Sequence, residues 1–376
     1  MSKIAFYAPI KPPDHAIPSG DRLIAQNLIK ALTLGGHTVE LVSRFIAYSK
    51  RDAETIMAER KAAALAEANT IISRLRAAPP DVFMAYHPYC KAPDWIGPRV
   101  TAALSIPYVT VEAAKTGQGF EYGGDRWQAW RLEAQAGIKT ADRHIAFKPT
   151  DRAYLNSLGI EDARIDALSP FIDLGVLDKE IGETPKVNSF PGHWRTDVPV
   201  LACVGMMRPG KKAKNYEILV DALTNLQGLH WNLMLIGDGP ERGSIETLFQ
   251  RFDPARLHVA GTLTHAEVLA CLKASDLMVW PGWREPIGMV YLEAQAMGTP
   301  VAALDSMGVS LSVRHGQTGL LAPLETAESL SEQLRLLLSQ PSLRADLAAK
   351  TKAHIAKNHS LEAAAHQLST SLQKLV

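Results

Sequence analysis

Cysteine is scarce in this chain. Cys90, Cys203 and Cys271 are three in 376 residues, odd in number and widely scattered. That excludes a disulfide framework and a cysteine-based zinc site, and it predicts reduced thiols in a cytosolic setting. No apolar run reaches the ~20 residues that span a bilayer. The first residues, Met1 to Pro9, read as a short strand without the apolar core of a signal peptide. Export and membrane spanning are therefore not expected, while peripheral contact with the inner membrane face stays open. One sign of charge does not dominate either. The formal net charge is +1, which removes any global case for a nucleic-acid partner. Also missing is a G-x-G-x-x-G after the first strand, which disfavours a nicotinamide enzyme. No His/Cys cluster sits at metal-ligand spacing, so neither a metal nor another cofactor is expected.

What the chain does contain is alternation. Ile4–Ala8, Val39–Ser43, Asp81–Tyr86, Tyr108–Val111 and His144–Phe147 read as strands of a first unit. Val200–Val204, Leu233–Ile236, Leu257–Ala260, Leu277–Trp280 and Pro300–Leu304 read as strands of a second. Helical patterns separate them, so the fold class is α/β, with parallel sheets covered on both faces. Two such series imply two doubly wound, Rossmann-like domains. The expected division is residues 1–175 and 176–356, and the segment from Gly175 to Pro199 reads as a linker. The Ala-rich stretch from Ala53 to Ala78 fits a solvated helix. The leucines at 361, 368, 372 and 375 suit an amphipathic terminal helix over 357–376.

The densest chemistry runs from Glu285-Pro286-Ile287-Gly288 through Met289 and Val290 to Glu293. Two carboxylates stand eight residues apart around a glycine, between a buried strand and a helix N-terminus. Such a helix end offers free N–H groups and partial positive charge to a phosphate. Carboxylates accept hydrogen bonds from sugar hydroxyls. A lone pair of glutamates at this spacing would be a loop residue and a helix-surface residue, but the strand–loop–helix context favours a binding site. Upstream, Val204-Gly205-Met206-Met207-Arg208 leads from a strand into a basic loop holding Lys211, Lys212 and Lys214, a phosphate-binding arrangement. Leu233–Ile236 ends in Gly237-Asp238-Gly239-Pro240, where glycine permits close backbone approach.

These motifs resemble the E-x7-E signature and its companions in retaining glycosyltransferases of family 4, which have the GT-B fold: two Rossmann-like domains facing each other across a cleft. The resemblance spans nearly the whole chain, its specific motifs lying within residues 200–322 and ending at Gly316-Gln317-Thr318-Gly319. It implies that Glu285 contacts the transferred sugar and Glu293 the nucleotide ribose. The N–H groups around Gly288, Met289 and Val290 would meet the diphosphate, and Gly237 would lie near the nucleotide. The family's pyrophosphate-gripping Arg and Lys map onto Arg208 and Lys214. Met206 stands where the usual Arg follows the glycine, so Arg208 is a substitute two positions on, with Lys212 a spare cation. For Lys211 a solvated loop position is favoured. In the first domain Pro18-Ser19-Gly20-Asp21 resembles the family's Gly-rich loop, placing Gly20 near the donor phosphates. Ser19 or Asp21 also suits a plain helix N-cap. His87, at the end of Asp81–Tyr86, matches the family's histidine near the transferred sugar. Glu112, after Tyr108–Val111, is an acceptor-side candidate, and the last helix would cross back onto the first domain.

The activity so implied is retaining hexosyl transfer from a nucleotide-sugar (UDP-, GDP- or ADP-linked) to an acceptor hydroxyl, in glycan, glycolipid or small-molecule glycoside synthesis. Glycosyltransferases of the other major fold hold a divalent ion with a D-x-D motif. This chain has no D-x-D, so metal-independent transfer is expected. A different acceptor on the same fold, as in sucrose-phosphate, starch or glycogen synthases and some epimerases, is one alternative. A catalytically silent relative that binds a nucleotide-sugar or scaffolds an assembly is the other, favoured only by Met206. Base, sugar, acceptor and oligomeric state are not written in these motifs.

Overall fold

The computed structural model describes residues 1–17, 19–114, 124–183 and 190–375. They divide into two compact units, residues 1–169 with 361–376, and residues 170–360.

In the first unit the apolar runs become short parallel strands separated by helices. The order is β1 (Lys3–Tyr7), α1 (Gly20–Leu34), β2 (Thr38–Leu41), α2 (Glu54–Leu75), β3 (Val82–Tyr86), α3 (Gly97–Leu104), β4 (Tyr108–Val111), α4 (Gln128–Lys139), β5 (Arg143–Ala146), α5 (Pro149–Ser157) and β6 (Ile165–Ala167). Every residue of β3, β4 and β5 is buried, because helices cover both faces of a parallel sheet. The sheet order is β2-β1-β3-β4-β5-β6. Strand order reverses between β1 and β3, and ligands of doubly wound folds bind beyond the strand C-termini at such a switch.

The second unit runs α6 (Leu174–Glu183), β7 (Val200–Val204), α7 (Lys211–Thr224), β8 (Asn232–Ile236), α8 (Arg242–Phe249), β9 (Leu257–Gly261), α9 (His265–Ala274), β10 (Leu277–Val279), α10 (Met289–Ala296), β11 (Val301–Leu304), β12 (Gly319–Ala322), α11 (Ala327–Ser339) and α12 (Pro341–Asn358). Its sheet order is β12-β11-β10-β7-β8-β9. The switch therefore lies between β7 and β10, the strands that precede the basic loop and the Glu285 loop.

The last helix, α13 (Leu361–Gln373), packs on α1 and returns the chain to the first unit. Its buried Ala364, Leu368 and Leu372 form the apolar stripe. Asp166 of β6 anchors it, accepting from Ser371 Oγ at 2.6 Å and Lys374 Nζ at 2.5 Å, while Arg143 Nε donates to the same carboxylate at 2.8 Å.

The segment read as a linker from Gly175 begins as a helix. Asp173 Oδ1 accepts from Val176 N at 3.2 Å, capping α6, and Leu177 is buried. Packing against α9 overrides the two glycines in α6, whose cost is about 1 kcal/mol each. Residues 184–189 of that segment, and Pro18 of the Gly-rich loop, lie outside the described residues. Two strands have no counterpart in the apolar runs. Ile165–Ala167 is a three-residue edge strand carrying Asp166, which anchors the last helix. Gly319–Ala322 looks like a turn, yet Gly319 must be glycine because a Cβ there would lie 2.2 Å from Val301 O.

Candidate functional site

A cavity of about 400 Å³ opens at the switch point of the second unit. Its walls come from the loops after β7, β8, β9 and β10, the first turn of α7 and the start of α10. Met206, Lys212, Gly237, Glu285, Gly288, Met289 and Val290 all line it. The switch-point topology explains the convergence: these residues are far apart in sequence, but each follows the C-terminal end of a strand or opens the next helix.

Two glycines are required by the backbone. Gly237 has φ +135, and a Cβ there would lie 2.0 Å from Gly205 O. The missing side chain thus serves close packing of the β7 and β8 loops against each other. Gly288 has φ +72, and a Cβ would strike the Tyr291 ring at 2.4 Å. This left-handed turn lets the chain enter α10 directly from the Glu285 loop. Gly288 offers no side-chain cap, so the first N–H groups of α10 have no intrahelical acceptor.

Glu285 sits inside the cavity. Its Oε2 accepts from Lys212 Nζ at 2.7 Å and from Trp280 Nε1 at 3.5 Å. Lys212 Nζ also lies 5.1 Å above the Trp280 ring, within cation–π range. Lys212, held as the spare cation, is therefore the lysine that the structure brings to Glu285. Lys214 is exposed and pairs with Glu217 at 2.9 Å on its own helix. Two residues along a helix turn a side chain about 200° around the axis, so Lys212 and Lys214 cannot share a face. Arg208 is exposed and does not line the cavity. Met206 does line it, about half exposed, where the resemblance expects an arginine.

Glu293 is off the cavity wall. On α10 it faces α9, where His265 Nε2 approaches Glu293 Oε1 at 3.4 Å. His265 Nδ1 contacts Glu180 Oε2 of α6 at 2.6 Å. The hydrogen bond with Glu293 acts first, burial opposes it, and the charges of both glutamates add, raising the imidazole to about 9. The sequence reading passed over His265 and Glu180. Their pairing depends on α6 packing against α9, which no local pattern announces.

At the switch point of the first unit the strand ends are filled instead by a charged network. His87 ends β3 with φ +59 and Glu112 ends β4 with φ +55, both left-handed. His87 Nδ1 lies 3.1 Å from Asp21 Oδ1 and 4.0 Å from Glu112 Oε2. Glu112 is buried and both of its oxygens are engaged, Oε1 by Lys148 Nζ at 2.5 Å and Oε2 by Tyr86 OH at 3.2 Å. That places Glu112 behind His87, holding it. Lys148 also approaches Asp151 Oδ2 at 3.2 Å. Burial alone would lower the His87 pKa, but Glu112 and Asp21 outweigh it and raise it. Burial would raise Glu112, yet His87 and Lys148 hold it below the usual carboxylate range. Burial lifts Asp151 to about 6, against the opposing Lys148. Lys148 and Asp151 were also absent from the sequence reading, since a Lys-Pro pair after a strand carries no visible signal. Gly20 begins α1 on the surface, and a Cβ there would meet nothing within 4 Å. Ser19 is the N-cap, its hydroxyl accepting from Arg22 N at 3.3 Å.

Cys90, Cys203 and Cys271 are buried and form no disulfide. Among the described residues, no helix is long and apolar enough to cross a membrane, and no group of three or more His, Cys, Asp or Glu side chains could hold a metal ion.

Two parallel doubly wound sheets, the second with a strand-end cavity that holds Glu285, make a GT-B-type fold. Residues 188–354 match the family of "Glycosyl transferases group 1". The chain is 30% identical over 258 residues to a D-inositol 3-phosphate glycosyltransferase of Rhodococcus erythropolis, covering 65% of this chain and 57% of that one. The chain spans about half the length of the curated relatives it matches. The structure superposes on a glycosyltransferase from Rickettsia africae with a TM-score of 0.70 at 15% identity, covering 99% of this chain and 98% of that one. Anabaena HepE in complex with UDP superposes with a TM-score of 0.68 at 16% identity, covering 99% and 100%. At these identities the structural likeness establishes the fold.

Proposed function

We propose that this chain is a retaining, metal-independent glycosyltransferase that moves a hexosyl group from a nucleotide-sugar to an acceptor hydroxyl. One observation carries the reading: a carboxylate, a lysine and an uncapped helix N-terminus meet in one cavity at the switch point of the second sheet. Glu285 would orient the transferred sugar. Lys212 would leave Glu285 for the diphosphate, joined there by the N–H groups of Gly288, Met289 and Val290, and these together would stabilise the charge developing on the leaving group. Arg208 and Lys214 keep only a peripheral part, as exposed cations off the cavity wall. Gly237 lies where the nucleotide would pass, and Glu293 would accept from the ribose hydroxyls. UDP is the first donor nucleotide to test, because HepE binds it; GDP and ADP follow.

The first unit would serve the acceptor. Asp21 and His87 are its reachable groups, and Glu112 with Lys148 fixes His87. No side chain is assigned as a covalent nucleophile. The bond between the anomeric carbon and the phosphate oxygen breaks, and the acceptor oxygen bonds to that carbon on the same face. The acceptor's proton passes to the departing phosphate oxygen.

The test is transfer from UDP-, GDP- and ADP-hexoses to a panel of hydroxyl acceptors, with the product's anomeric configuration read by NMR. Retention supports the reading and inversion overturns the mechanism. Binding without turnover of any donor would make the chain a silent relative. Exhaustive EDTA treatment should leave the rate within about twofold, since the cationic groups replace a metal at the diphosphate. Loss of turnover restored by Mn²⁺ would overturn the metal-independent assignment.

A further inference from the structure

Beside the donor cavity, three helices of the second unit bring two glutamates onto one histidine. Glu180 comes from α6, His265 opens α9 and Glu293 lies on the second turn of α10. The ring nitrogens sit 2.6 Å from Glu180 Oε2 and 3.4 Å from Glu293 Oε1. With an acceptor carboxylate at each nitrogen, only the doubly protonated ring supplies both N–H donors. Its raised pKa, about 9, agrees.

His265 is itself held in place. Thr264 and Glu267 form a reciprocal capping box at the start of α9, and α6 packs against the same helix. Glu293 follows Met289 and Val290 by about one turn, and those two residues line the cavity. Its Oε1 faces His265. Among the described residues no partner is seen for its Oε2, and the side chain is 20% exposed. The carboxylate is thus anchored on one oxygen and open on the other.

We infer that His265 is the positioning residue for ribose recognition: tethered by Glu180, its imidazolium fixes the Glu293 carboxylate so that the remaining oxygen meets the ribose hydroxyls of the donor nucleotide. The inference rests on the donor reading above, in which Glu293 is the ribose partner. A glutamate left to sample several rotamers loses more freedom on binding than one already held by a charged neighbour. Removing His265 therefore weakens one contact of the ligand, not the whole site.

Calorimetric titration with whichever of UDP, GDP and ADP binds most tightly, and with its 2′,3′-dideoxy counterpart, tests this. The readout is the ratio of the two affinities, which a general loss of structure would not change selectively. Wild type should prefer the ribonucleotide by about tenfold or more, the worth of a charged hydrogen bond. His265→Ala should cut that preference to about threefold or less, with dideoxynucleotide affinity nearly unchanged. Glu180→Gln should give an intermediate ratio, and His265→Arg should recover part of it, because a guanidinium also spans two carboxylates. If His265→Ala does not fold, Glu180→Gln and His265→Arg decide the matter on the same ratio. A wild-type ratio in His265→Ala, or in Glu180→Gln where that variant must decide, overturns the inference. Glu293→Ala separates the two levels. If it also keeps the wild-type ratio, the ribose role of Glu293 fails and His265 with it. If it abolishes the ratio while His265→Ala does not, only the His265 inference fails. No measurable binding of any of the three nucleotides to wild type overturns the donor reading and the inference together.

Discussion

Each unit carries a lysine–glutamate pair at its sheet's switch end, and the two pairs are not equivalent. In the first unit Lys148 and Glu112 are 2.5 Å apart with side chains only 14% and 7% exposed. In the second, Lys212 and Glu285 are 2.7 Å apart with side chains 30% and 17% exposed. The first pair is locked into a network with His87, Tyr86 and Asp151. The second lines an open cavity, and among the described residues its lysine meets the Trp280 ring besides its glutamate. The bond is the same, but depth decides its use. A buried pair cannot give up a partner without stranding a charge. A partly exposed pair can exchange one partner for a ligand at smaller cost. The first sheet's end is thus a preset arrangement, and the second's a place where groups are waiting.

The largest effect that would sharpen this contrast is on stability. Lys148→Ala should destabilise the protein by about 3–5 kcal/mol, because Glu112 and Asp151 stay buried and lose the lysine they share. Urea unfolding followed by circular dichroism would read it. The double variant Lys148→Met with Glu112→Gln should recover most of the loss, and failure to recover would mean that Lys148 matters through packing alone.

The matched change in the second unit should behave oppositely. Lys212→Ala should alter stability by less than about 1 kcal/mol. It should weaken a nucleoside diphosphate by roughly ten- to hundredfold, while leaving the free nucleoside little changed. Lys214→Ala should shift diphosphate affinity by no more than about twofold, since its partner is Glu217 on the surface. The reverse ranking of the two lysines in calorimetric titration would break the comparison.

A further effect concerns pH. Asp151 is raised by burial to about 6 in the folded protein, against an ordinary aspartate near 3.9 when unfolded. A carboxyl with a raised folded pKa contributes stability that is full below about 4 and is lost as pH rises through about 6. Asp151→Asn removes that loss. It should therefore gain up to about 3 kcal/mol relative to wild type at pH 8 compared with pH 4. A pH-independent difference between the two proteins would show that Asp151 ionises freely in the fold.

Local pattern made most of the fold legible. Buried parallel strands are continuous apolar runs, so β1 to β5 and β7 to β11 stand out in the chain. The strand at Ile165 did not, because it is only three residues long and its central residue is Asp166, spent on the terminal helix. The strand at Gly319 did not, because its glycine answers a steric demand from Val301, a residue 18 positions away. The candidate site divides in the same way. Glu285, Gly288 and the start of α10 are contiguous, so their conjunction shows in one short stretch. Lys212 and Lys214 look interchangeable on paper, and only the start of α7 at Lys211 fixes which one faces the cavity. His87 and Glu112 end their strands as read, but Glu112 turns out to be committed to Lys148.

By itself, then, the sequence determined most of the secondary elements, the division into two Rossmann-like units and the positions of the chemistry-bearing loops. Each of these follows from hydrophobic periodicity, glycine and charge within a window of a few residues. Tertiary structure decided which charges became neighbours. Strand order brought the loops after β7 and β10 together, α6 carried Glu180 to His265, and helix phase turned Lys212 inward. Burial then set which ion pair is locked and which is available. Those outcomes depend on distances between residues remote in the chain and on the dielectric around them, and neither quantity is encoded in any local stretch.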